Sequence, residues 1–220
     1  QTPDVVGYIR GARETGAFTI AVTNDAASEL ALAADATIML AAEPELAVAA
    51  TKTYTNTLAT LALLAGHVAG RGDEVGDGIR EVADLAEAAL PGLEQATAPL
   101  ALQFAYTGRM FVIGRGVEFA TAREIALKLL ETCRVAAEPL TATDLAHGPV
   151  AALDPLFPVW TIASEDQTLP AVVEAAERVR LAGATLVASG DAADKLAGAA
   201  YALPVPSPPS PLLSPLLSVV

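Results

Sequence analysis

A single cysteine, Cys133, leaves the chain without an internal disulfide and fits a reducing compartment, so a cytoplasmic protein is expected. Histidine is almost as scarce. With only His67 and His147 beside that one thiol, the ligands for a zinc cluster are missing and no metal is expected. Basic residues are outnumbered, with 13 Lys and Arg against 26 Asp and Glu, and the net charge of −13 repels polyphosphates. Nucleic acid and anionic membrane surfaces are therefore poor candidates as partners. Long apolar runs are lacking too: "LATLALLAGHVAG" at 58–70 is too short to span a bilayer, and nothing resembles a signal peptide.

What the chain does have is apolar residues, 53% of the total, enough over 220 residues for a sizeable core. They are arranged in an internal repeat. "GAFTIAVTNDAASELALAADATIML" from Gly16 matches "GATLVASGDAADKLAGAAYALPV" from Gly183, sharing D-A-A-x-x-L-A-x-A-A at 25–34 and 191–200. An amphipathic helical stretch precedes each copy, "VVGYIRGARET" and "AVVEAAERVRLA", so each unit reads helix, strand, short helix, strand. Alternating helices and strands imply an α/β fold with parallel sheets flanked by helices. Two similar halves are expected, at 1–106 and 107–220. Residues 46–106 read as helical with a break at Pro91, and "RMFVIGRG" as a strand entering a helix over about 118–132. The opening "QTPDVV" is a helix start without the strand that should feed it, so the first half reads as truncated. The Pro/Ser-rich "PVPSPPSPLLSPLLSVV" reads as a linker.

Several fragments could carry chemistry. In "EIALKLLE", Glu124, Lys128 and Glu131 fall within about 60° of one another on a helix and form one polar line among Ile, Ala and Leu. From spacing alone this is either a solvated ion-pair stripe or a site. Thr2 and Pro3 suit the first positions of a helix, whose free N–H groups need a cap or an anion. "VAATKTYT" gathers hydroxyls and Lys52 at another helix start, and His147 stands directly before Gly148-Pro149, where a short helix must stop. "GRGVEF" at 114–119 lacks the third glycine of a dinucleotide fingerprint and reads as a tight strand-to-helix turn.

Taken together, Q-T-x-D at 1–4, E-x-x-V-A-A-T-K-x-Y-T at 45–55, G-R-G at 114–116 and E-x-A-L-K-L-x-E…H-G-P from 124 to 149 resemble the sugar isomerase (SIS) superfamily. The likeness is to the isomerase part of glucosamine-6-phosphate synthase and to glucosamine-6-phosphate deaminases of that type. It implies two SIS subdomains and a homodimer with a shared active site. The implied activity is isomerisation or deamination of a small sugar phosphate, glucosamine 6-phosphate or fructose 6-phosphate, without a cofactor. On this resemblance Glu131 is the proton-transfer carboxylate, Lys128 and Glu124 its neighbours, and His147 the residue that assists ring opening across a subunit interface. Gln1 and Thr2 would border the phosphate, while Val48, Ala49, Ala50 and Lys52 would lie along the sugar. Ala50 departs from the serine typical of the synthase, which tilts the expectation toward the deaminase branch. The family's tail lysine has no counterpart within these residues, where Lys52, Lys128 and Lys195 are the only lysines, so either it lies beyond residue 220 or this homologue lacks it. The remaining alternatives are the isomerase half of a glutamine-dependent synthase and a sugar-phosphate-sensing module without turnover.

Overall fold

The central strands in the second half are nearly continuous apolar runs, as parallel strands buried on both faces must be. The computed structural model describes residues 3–219, and the expectations for Gln1 and Thr2 lie outside them. The chain divides into two compact units, 1–61 and 62–220. In the first, α1 (Pro3–Glu14), β1 (Ile20–Thr23), α2 (Glu29–Ala33) and β2 (Ala36–Met39) follow one another, and β1 pairs with β2 in parallel, Ile20 opposite Ala36. Helix α3 (Lys52–Val68) begins in this unit and ends in the next.

Ser28 caps α2 by accepting a hydrogen bond from the Ala31 N–H at 3.2 Å. Asp35 ties the two strand entrances together. Its Oδ2 accepts the Thr19 N–H at 2.9 Å and the Thr19 hydroxyl at 2.8 Å, while Oδ1 meets Arg13 Nε at 2.9 Å. The Thr19 backbone bond, followed by its hydroxyl and then Arg13, outweighs burial and holds Asp35 below the ordinary aspartate value of 3.8. A lowered pKa contributes stability that is complete above 3.8 and is lost as pH falls through the folded value. Acid titration followed by circular dichroism should therefore show structure being lost below that point, and Asp35→Asn should remove the share of this pH dependence that Asp35 contributes.

After the end of α3, the second unit continues with α4 (Gly72–Gln103), followed by β3 (Arg109–Gly114), α5 (Glu118–Lys128) and a π-helical turn at Leu129–Cys133. After these come β4 (Ala136–Thr141), β5 (Pro158–Ile162), α6 (Leu169–Leu181), β6 (Thr185–Gly190), β7 (Tyr201–Pro204) and α7 (Pro215–Ser218). The five strands form one sheet in the order β4-β3-β5-β6-β7, every pair parallel. Neighbouring residues serve opposite faces. Ile113, Val159 and Leu186 pack with Val172, Ala176 and Val179 of α6, whereas Val112 and Ile162 pack with Ala122 and Ala126 of α5. Leu100 of α4 joins Val187 and Leu203, and Trp160 of β5 packs beside them with its indole N–H on Ser189 Oγ at 2.8 Å.

The repeat is realised as read: α1-β1-α2-β2 in one unit and α6-β6, a 3-10 turn at Ala193–Lys195, and β7 in the other. The expected break at Pro91 does not occur. Pro91 and Pro99 both lie inside α4 on its exposed surface, where the carbonyls they leave without donors can be hydrated. Gly190 closes β6 at φ 101°, and a Cβ there would lie 2.0 Å from the Ala163 carbonyl oxygen. Gly190→Ala should cost more than about 2 kcal/mol, because backbone strain and a backbone clash add, which urea denaturation would measure.

Candidate active site

The polar stripe of α5 is real, and its end is wider than an α-helix. Lys128 Nζ lies 3.2 Å from Glu124 Oε1 and 3.0 Å from Glu131 Oε2, so one ammonium sits between two carboxylates. The Glu124, Lys128 and Glu131 side chains are 12%, 24% and 33% exposed, which is sheltered for charged groups yet open to a ligand. Burial works against the charged lysine, but the hydrogen bonds and charges of Glu131 and Glu124 together outweigh it and hold Lys128 above its ordinary value. The helix expected to run regularly to Thr132 instead changes to a π-turn after Lys128, and Glu131 lies within it. Thr132 steadies the change by donating its hydroxyl to the Lys128 carbonyl at 2.6 Å, and Arg134 ends it in the left-handed region at φ 59°. Single π-turns of this kind accumulate at functional sites.

His147 ends a 3-10 turn, Asp144–His147, and Gly148 follows at φ 129°. Fully buried Leu145 anchors this turn while His147 stays exposed. The Thr141 hydroxyl at 2.7 Å is the main cause that lowers the Asp144 carboxyl; the Thr141 N–H, His147 and Arg115 add to it against burial. Arg115 donates to the Thr143 hydroxyl. Glu131 and His147 are not brought together within one chain. They approach β4 from its two ends, and the strand between them advances about 17 Å.

In the first unit, the Val48–Ala50 stretch lies in the loop between β2 and α3. Val48 is 99% exposed, Ala49 is buried and Ala50 is half-buried. Glu45 Oε2 accepts the Thr51 and Thr53 N–H groups and the Thr53 hydroxyl, all at 3.0 Å, so a carboxylate of the chain itself caps α3. The Thr53 N–H is the largest influence that keeps this carboxyl below its ordinary value. Lys52 is turned to the Pro44 carbonyl at 2.8 Å.

Two non-glycine residues in the same loop, Ala41 at φ 51° and Glu43 at φ 55°, occupy a costly backbone region. Asn24 compensates by accepting the Ala42 N–H at 2.9 Å and donating to the Glu43 carbonyl at 2.6 Å. Sequence reasoning missed Asn24; its signal was an amide directly after a parallel strand. Among the described residues no group of three His, Cys, Asp or Glu side chains is placed to hold a metal, and no helix is long and apolar enough to cross a membrane.

A family model described as the SIS domain matches residues 1–66 and 103–220, passing over the helical stretch between them. The glutamine–fructose-6-phosphate aminotransferase (isomerizing) of Thermococcus kodakarensis is 34% identical across 100% of this chain and 38% of its own length. The enzyme of the same name from Aeropyrum pernix is 37% identical, covering 87% of this chain and 32% of its own. Among solved structures, the C-terminal domain of glucosamine-fructose-6-phosphate aminotransferase from Francisella tularensis superposes with a TM-score of 0.89 at 22% identity, over 98% of this chain and 64% of that one. The chain thus spans about two-fifths or less of these curated relatives. With the repeat, the parallel sheets and the α5 stripe in place, the match over both halves makes the chain a member of the SIS domain family.

Proposed function

We propose that this chain isomerises a hexose 6-phosphate, as the sugar-converting part of an enzyme resembling the isomerizing aminotransferases. The observation that carries the reading is the sheltered Glu124–Lys128–Glu131 group at a π-turn, in a chain whose curated relatives are named for that isomerisation. The Glu131 carboxylate takes the proton from C2 of the open-chain aldose. This leaves an enediolate; the O2 hydroxyl proton passes to O1 and the same carboxyl returns its proton to C1 to give the ketose, so the carbon-to-carbon transfer needs one base and no net reagent. Lys128, held cationic between its two partners, stabilises negative charge that develops on the sugar oxygens. Gln1, Thr2, Val48, Ala50 and Lys52 would serve binding of the phosphate and sugar, and His147 ring opening in the partner subunit of a homodimer. The separation of Glu131 and His147 by the length of β4 favours that shared arrangement.

A second reading, deamination of glucosamine 6-phosphate, rests on Ala50. The experiment is to incubate the full-length protein with fructose 6-phosphate or glucosamine 6-phosphate in deuterated water. Deuterium at C1 or C2 supports isomerisation. Ammonia released from the amino sugar supports the second reading, and neither product would refute both.

A further inference from the structure

Glu118, the first residue of α5, is 1% exposed, an unusual place for a carboxylate. Its Oε1 accepts three hydroxyls that come from two other parts of the chain. Ser164, just past β5, donates at 2.7 Å; Ser214 at 2.7 Å and Ser218 at 2.9 Å donate from the C-terminal segment. Its Oε2 is buried without a partner. A half-satisfied buried carboxylate is a poor way to gain stability, since an apolar side chain of similar size avoids the desolvation cost.

What the arrangement does achieve is registration. The Glu118 carbonyl lies so close to Gly114 that a Cβ on the glycine would approach it to 2.2 Å, so the Gly114–Val117 turn follows Glu118 closely. That turn in turn holds the end of β4. The Gly114 carbonyl accepts the Ala142 N–H at 3.3 Å, and Arg115 donates to Thr143, the residue before the His147 turn.

We propose that Glu118 is a positioning residue, which uses the serines of the C-terminal segment to fix the Gly114–Val117 turn and, through Arg115 and Thr143, the turn that presents His147. The proposal rests on the reading of His147 as a catalytic residue, yet its structural half can be tested without turnover.

The test is hydrogen exchange on full-length Ser214→Ala/Ser218→Ala. Amides 142–148 should exchange about tenfold faster while those of α6 keep their protection. In the same protein kcat should fall about tenfold with KM within about twofold, because the substrate-binding residues are untouched. Faster exchange confined to 211–218 would overturn the proposal, as would an equal loss of protection throughout the chain. Should the double variant fail to fold, Thr143→Val replaces it: this exposed change cuts the last link, so 144–148 should loosen while 211–218 does not, and unchanged exchange at 144–148 would refute the link. If the wild-type protein turns nothing over, the functional reading falls, and the exchange data still decide whether Glu118 positions this turn.

Discussion

Glu131→Gln should lower solvent deuterium incorporation at C2 of the sugar phosphate by about 10²-fold or more, the usual loss when a positioned general base is removed. Glutamine keeps the shape and can still accept the hydrogen bond that Lys128 now gives to Glu131 at 3.0 Å. Ground-state binding should therefore change little, and the loss should appear in kcat rather than KM. A variant that exchanges deuterium at the wild-type rate would remove Glu131 from the mechanism. Such a result would leave the stripe as an ion-paired face of the helix, the alternative that its spacing alone allows.

Two inactive proteins should make an active one. If Glu131 acts in its own subunit and His147 in the neighbour's, mixing full-length Glu131→Gln with His147→Ala should place both lesions in one site of each mixed dimer and leave the other intact. Random reassortment then restores roughly a quarter of wild-type activity in a symmetric dimer. The expectation follows from β4, whose length separates the two residues within a chain. No recovery after verified subunit exchange would rule out sharing.

The repeat was legible because it lies in sequence order: helix, strand, short helix and strand are each local patterns, and both copies appear in the structure. The α5 stripe was legible for the same reason, since three residues on one helix need no tertiary information. The π-turn was not. Its widening depends on the Thr132 hydroxyl and the left-handed Arg134, neither of which breaks the apolar periodicity. Strand β4, reading "AAEPLT", carries a proline and a glutamate and looks like a loop; only its place at the sheet edge makes Pro139 acceptable. Pro91 misled in the opposite sense, because a proline on an exposed helical face can be accommodated. By sequence position Glu118 is indistinguishable from any acidic residue in the first turn of a helix, where the dipole favours it. Its burial comes from serines 46, 96 and 100 residues further along the chain, which no local pattern reveals.

The indole of Trp160, packed at the middle of the five-stranded sheet and bonded to Ser189, has a consequence for any spectroscopist who handles this protein. It is the only tryptophan in the chain, so intrinsic emission excited at the red edge reports on the surroundings of β5, in the second unit. A melt followed by that emission alone records the five-stranded sheet around β5. Helical ellipticity lost while the emission holds steady comes from elsewhere, and a second chromophore placed in the first unit would make its opening visible.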